Sequence, residues 1–210
     1  MTDHHHPRPH DNGTVVKISK PTQQTPPLSW TDRMAVAVFV PDGPAPSQLA
    51  GIAVQSAGLP GTLAGWNALT GHSNVADPPP PTVPSGMKLS AGAVIIEPDG
   101  RVWLVEPTNH YGGYHRSFPK GTIESGLSLR ATAVKEAFEE TGLLVQLGAF
   151  LTDVPRTTSI TRYFIAKRIG GTPADMGWET QAVWLVPPSQ LALLASHAND
   201  TPIRAAISAL

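Results

Sequence analysis

No cysteine occurs in the 210 residues, which excludes disulfides and thiolate metal sites and fits a reducing compartment. No apolar run approaches the roughly 18 residues that a membrane-spanning helix needs. The start, Met1-Thr-Asp-His-His-His, lacks the charged-then-apolar order of a secretory leader, so a cytoplasmic protein without a membrane partner is expected. Excess charge of one sign is also missing: 15 Lys and Arg face 16 Asp and Glu. Without a global field to attract nucleic acid, any recognition of phosphate has to be local and the partner is expected to be a small molecule.

Proline is abundant and unevenly placed, with 14 of its 22 occurrences before Met87. That shift divides an irregular N-terminal part from a regular C-terminal one and predicts a boundary near Gly86. Residues 1–28 are rich in His, Pro, Thr and Gln and are expected to be a mobile tail, with His4 to His6 solvated rather than bound to a metal. Residues 29–86 read as an extension. Within it, the apolar run to Val40 and the shorter one from Leu49 to Val54 are candidates for an extra hairpin, and Gly61 to His72 shows no clear period. Asp77 to Pro84 is expected to be an extended, stiff spacer.

Residues 87–210 carry the regular signals. Leu89–Ile96 and Arg101–Val105 flank Pro98-Asp-Gly100, which predicts two antiparallel strands joined by a turn. Further strands are expected at Val145–Leu151, Arg162–Ala166 and Ala182–Val186. Ser189 is the expected cap of a helix from Gln190 to about His197, and Thr201-Pro202 is expected to open a last helix. Strands around one central helix, closed by C-terminal helices, place the chain in the α+β class, as an α/β/α sandwich.

The central helix runs from Leu129 to Glu140, with Ser128 as N-cap and Gly142 as the left-handed residue after its end. Ala133, Val134, Ala137 and Phe138 fall on one side; Glu136, Glu139 and Glu140 fall on roughly the opposite side. Carboxylates three and four apart repel, and so close to a helix C-terminus they also oppose the macrodipole. A solvated acidic face is one account of them. A hard divalent cation, Mg²⁺ or Mn²⁺, which prefers carboxylate oxygens, is the other.

The stretch from Gly121 to Leu143 resembles the Nudix box, with Gly121, Glu136, Ala137, Glu139, Glu140, Gly142 and Leu143 in register. It departs at Leu127, where the family has a glutamate, and at Lys135, where it has an arginine. The resemblance implies a mixed-sheet sandwich with the box helix packed between sheets, and a metal-dependent hydrolase that cleaves a phosphoanhydride. It implies that Glu136, Glu139 and Glu140 hold Mg²⁺ or Mn²⁺, with Glu136 also a candidate base. The Lys120 carbonyl and Glu124 are candidate additional ligands, and Glu179, before a late strand, is a second candidate base or ligand. His115, Arg116, Lys120 and Arg162 are candidate contacts to a polyphosphate chain. A dinucleoside polyphosphate is the first expectation for the substrate, ADP-ribose or a nucleotide sugar the second. A non-catalytic nucleotide-binding module is the alternative, to which Leu127 and Lys135 give weight. Family members are often homodimers, so a homodimer is the expected assembly.

Overall fold

A computed structural model describes residues 4–69 and 76–210. The first part contains β1 (His4–His5), β2 (Lys17–Ile18), β3 (Ala37–Phe39), β4 (Gln48–Leu49), β5 (Ile52–Ala53) and α1 (Leu63–Ala68). The second contains β6 (Lys88–Ile95), β7 (Val102–Pro107), β8 (Lys120–Thr122), α2 (Leu129–Thr141), β9 (Leu143–Pro155), β10 (Ser159–Gly171), β11 (Thr180–Val186), α3 (Pro188–Leu194) and α4 (Thr201–Ser208).

Two sheets carry the fold. One is mixed, in the order β8-β6-β10-β9, with β6 and β10 parallel and the outer pairs antiparallel. The other is antiparallel, β3-β11-β7. The apolar side of α2, with Ala133, Val134, Ala137 and Phe138, shares a core cluster with Ala91 and Phe164 of the first sheet and Val183 and Leu185 of the second. A second cluster joins Val94, Leu104, Val154 and Tyr163 to Leu191 and Ile203 of the C-terminal helices. The expected α/β/α sandwich with the box helix between sheets is the structure found.

Several expectations need correction. The turn at Pro98-Asp-Gly100 is present, with Gly100 at φ 86°, but the strands it joins enter different sheets and meet only at the bridge between Ile96 and Val102. Both edges of β6 are already filled, by β8 and β10, so β7 has no free edge beside it. The extra hairpin does not form as expected either: β3 pairs with β11, Val38 opposite Trp184. β4 and β5 instead make their own hairpin around Ala50 and Gly51, both at positive φ, as a two-residue turn demands. β9 and β10 run longer than expected because ion pairs make their polar residues compatible with burial, Arg162 with Asp153 at 2.8 Å and Arg168 with Glu97, just past the end of β6, at 2.6 Å. α3 starts at Pro188 without the Ser189 cap, and Thr201 is already the first residue of α4. The unassigned segment from Gly61 holds α1, capped by Thr62; its part from Thr70 onward lies outside the described residues.

The boundary near Gly86 separates regular from irregular sequence without separating two cores. Trp30, Ala37, Phe39, Leu49 and Trp66 all belong to the α2 core cluster. Arginines of the second part close on backbone carbonyls of the first: Arg101 on Ser29 and Trp30, Arg168 on Leu49, and Arg162 on Pro78 and Pro79. Proline segments offer carbonyls without matching N–H groups, and a guanidinium supplies several donors in one plane. The spacer is therefore tied down at its first prolines. The expected tail also departs from a mobile chain. Its residues 1–3 lie outside the described residues, but from His4 onward it forms an arm that pairs β1 with β2 and buries His6.

Candidate active site

α2 begins where expected, with Ser128 Oγ accepting from Ala131 N–H at 3.1 Å, and ends at Gly142 with φ 71°. A side chain at Gly142 would also collide with the Thr172 carbonyl. The helix is thus fixed at both ends, and its last two turns meet β8. Lys120 N–H donates to Glu140 Oε2 at 2.9 Å. The Glu136 carboxylate lies directly against Gly121, where any Cβ would collide with it. Glycine at 121 is therefore a requirement of the carboxylate's position.

Glu139 is exposed and is held by Lys135 at 2.6 Å; the same ammonium reaches Glu124 at 2.7 Å. Burial opposes the Lys135 charge, but the hydrogen bonds to Glu124 and Glu139 outweigh it and raise its pKa. Burial pushes the Glu136 carboxyl well above the ordinary carboxylate range, and the nearby charges of Glu140 and Glu139 push it further. Burial likewise raises Glu140, against the pull of the Lys120 ammonium and N–H, with Glu179 and Glu139 adding to the rise. Glu179 stands at the exposed rim, just before β11. Partial burial raises its pKa, Asp11 raises it further, Lys120 opposes and Glu139 contributes. The structure therefore brings Glu136, Glu139, Glu140, Glu179 and Lys120 into one electrostatic neighbourhood.

A match to the family model of the NUDIX domain covers residues 86–207, more than half of the chain. The chain belongs to the Nudix family. Among curated relatives of this Nudix protein, an RNA pyrophosphohydrolase of Caulobacter vibrioides is 39% identical over 54 residues, 26% of this chain and 31% of the relative. A putative mutator protein, MutT4, of Mycobacterium tuberculosis is 30% identical over 127 residues, 54% of this chain and 51% of the relative. The chain thus spans about a third to a half of the curated relatives it matches. A solved Nudix hydrolase from Nitrosomonas europaea, 21% identical, superposes with a TM-score of 0.49 over 58% of this chain and 86% of its own.

The two departures from the Nudix box have local explanations. Leu127 is buried in the α2 core cluster, so an apolar contact occupies the place of a charged group. Lys135 binds two glutamates with its single ammonium, without the planar fork of an arginine.

The carboxylate face fits a hard divalent cation. Burial opposes the charge of both Glu136 and Glu140, which an oxygen-seeking cation would offset. Among the described residues no three histidine, aspartate or glutamate side chains already converge as a ligand set. Like charges spread apart, and here Glu139 is drawn toward Lys135 and Glu140 toward the Lys120 N–H.

Of the candidate substrate contacts, Lys120 stands beside the carboxylates, its ammonium 5.9 Å from the Tyr114 ring center. His115 is exposed and packs on His110 at 4.5 Å. Arg116 stacks on Trp184 at 4.3 Å and donates to the Leu194 carbonyl, which ties α3 to the sheet. Arg162 has to be withdrawn as a substrate contact. It is buried, paired with Asp153, and bonded to Pro78 and Pro79. A cation in a strand with hydroxyl neighbors suggested phosphate, but the proline carbonyls that claim it are more than 80 residues away.

Read from sequence, Arg156 is a further cation toward phosphate and Tyr114 and Tyr163 are rings that could stack on a base; the structure instead gathers all three around Asp200. Arg156 donates to the hydroxyls of Tyr114 and Tyr163, both at 2.7 Å, and pairs with buried Asp200 at 3.1 Å. Asp200 lies 44 residues from Arg156 and reads locally as a helix cap, so no short-range signal could have found it.

Proposed function

We propose that this Nudix protein hydrolyses a phosphoanhydride in a nucleoside diphosphate joined to another group, with Mg²⁺ or Mn²⁺ as cofactor. A dinucleoside polyphosphate is the preferred substrate and ADP-ribose or a nucleotide sugar the second. The observation that carries this reading is the crowding of Glu136, Glu139, Glu140 and Glu179 around the start of β8, with Lys120 as the nearby cation.

Glu136, Glu139 and Glu140 would hold the cation, with the Lys120 carbonyl and Glu124 as further ligands. When bound, such a cation neutralises charge on phosphate oxygens and favours ionisation of water. Lys120 orients the polyphosphate chain, with His115 and Arg116 as further candidate contacts. Attack by water forms a P–O bond and breaks the bond to the bridging oxygen, while the proton of the water passes to a carboxylate. Glu136 and Glu179 are the two candidates for that base. Burial and like charges raise both above the ordinary carboxylate range, the direction that suits a general base.

The test is release of phosphate-bearing products from a panel of dinucleoside polyphosphates, ADP-ribose, nucleotide sugars and oxidised nucleoside triphosphates, with either cation. The Caulobacter relative's name adds RNA to the panel. Metal-dependent turnover that disappears in Glu139→Gln and Glu140→Gln supports the enzyme. Tight nucleotide binding with no turnover on any substrate favours a binding module, the reading that buried Leu127 and Lys135 support.

A further inference from the structure

The arm that precedes the family domain reaches the rim of the site. His10 to Thr14 forms a tight turn, closed by His10 N–H to the Thr14 carbonyl at 2.9 Å and Gly13 N–H to the His10 carbonyl at 2.7 Å. The tip of that turn sits on Trp178. Its indole Nε1–H donates to Asp11 Oδ1 at 3.0 Å, and its ring packs against the His10 ring at 4.1 Å. The arm is anchored on both sides of this contact. His6 Nε2 bonds to the Thr180 carbonyl at 3.1 Å, Arg8 pairs with Asp175 at 3.1 Å, and Ser19 N–H donates to Asn109 Oδ1 at 2.7 Å.

The segment it touches leads straight into the carboxylate face. Gly177 N–H donates to the Glu139 carbonyl at 2.6 Å, and Thr108 binds the carbonyls of Trp178 and Glu179. These bonds hold the backbone of the segment; among the described residues the Trp178 ring donates its hydrogen bond to the arm.

We propose that the tip of the N-terminal arm, His10 and Asp11, positions the Trp178–Glu179 segment as one wall of the substrate site. An element outside residues 86–207 then controls turnover of the domain. Both residues are positioning residues, acting through Trp178. The inference rests on the function proposed above for how it is read in kinetics, and on hydrogen bonding alone for how it is read in structure.

The experiment uses the full chain and four variants: Asp11→Ala, Asp11→Asn, His10→Ala and, as a control on the exposed end of the arm, His4→Ala. Amide hydrogen exchange over residues 176–181 is measured beside kcat and KM on the best substrate with Mg²⁺. Asp11→Ala is expected to lower kcat about tenfold, since small misplacements near a reacting center are costly, with KM and Tm close to wild type. Asp11→Asn, whose amide oxygen still accepts the indole N–H, is expected to restore most of the rate. His10→Ala falls between them, and His4→Ala matches wild type. Exchange over 176–181 should rise in Asp11→Ala and His10→Ala. Wild-type kcat in both of those variants overturns the proposal, as does an Asp11→Asn protein as slow as Asp11→Ala. If the wild-type chain hydrolyses nothing, the proposed function fails while the positioning claim is still decided by exchange: unchanged exchange in both variants overturns it.

Discussion

The α2 helix and the N-terminal arm meet at the same site and reach it by opposite routes. α2 carries its own instructions: a serine cap, good helix formers, an apolar side and a glycine stop, all within 15 residues. The arm carries almost none. Its order comes from contacts such as His6 to Thr180 and Asp11 to Trp178, each more than 165 residues apart in the chain. Composition correctly describes a chain that cannot build a core by itself, and it is silent about a chain that borrows the surface of another element.

That contrast can be tested by changes of decreasing effect. The largest is expected at Arg168, the buried cation that holds both Glu97 and the Leu49 carbonyl. Arg168→Met leaves Glu97 buried without its partner and should cost about 3–5 kcal/mol, measured by urea denaturation. A loss below 1 kcal/mol would mean that the N-terminal part is only loosely joined to the domain. Next comes Glu140→Gln, which leaves the helix intact and removes a charge from the carboxylate face. Metal-dependent turnover should fall roughly 100-fold or more, with denaturation unchanged or shifted toward greater stability, because a buried like-charge neighbor of Glu136 is gone.

Leu127→Glu asks whether the departure from the Nudix box is a defect. A carboxylate placed in the α2 core cluster should destabilise the protein by roughly 2 kcal/mol without raising activity. A sharp gain in both turnover and metal affinity would show that the apolar packing is the defect. Ser128→Ala removes the bond to Ala131 N–H and should cost about 1 kcal/mol, a local effect on a locally specified helix.

The smallest effect is expected in the arm. Burial holds the His6 imidazole below its ordinary value of 6.5, against the opposing hydrogen bonds to Arg8 and Thr180. A base lowered by folding contributes in full above the unfolded value, and that contribution fades as pH falls through 6.5 toward the folded one. Protection from amide exchange in residues 4–20, corrected for the intrinsic rate at each pH, should therefore fall below about pH 6 while α2 stays protected, and His6→Gln should flatten the response. An arm equally protected at pH 5 and pH 8 would refute the link.

Much of the site was legible before any coordinates. Helical period places Glu136, Glu139 and Glu140 on one side, Gly142 is the left-handed end, Gly121 is marked by its register with the Nudix box, and all five lie within 22 residues. The errors share a different cause. Arg162 looked like a phosphate ligand because the carbonyls of Pro78 and Pro79 lie too far off in sequence to be weighed. The β6–β7 turn was correctly placed, yet turn chemistry does not say which strand fills an edge, and β8 and β10 fill both edges of β6. Asp11, Trp178 and Asp200 are ordinary residues in sequence, and only their neighbours make them part of the site.

The sequence by itself determined the box helix, its caps and its division into an apolar side and a carboxylate side, because each follows from chemistry a few residues apart. The tertiary structure alone decided that β3 completes the second sheet, that Arg101, Arg162 and Arg168 fasten the N-terminal part to the domain, and that the arm lies beside Glu179. Those are choices among distant partners, settled by which buried carbonyls, sheet edges and carboxylates would otherwise be left unsatisfied.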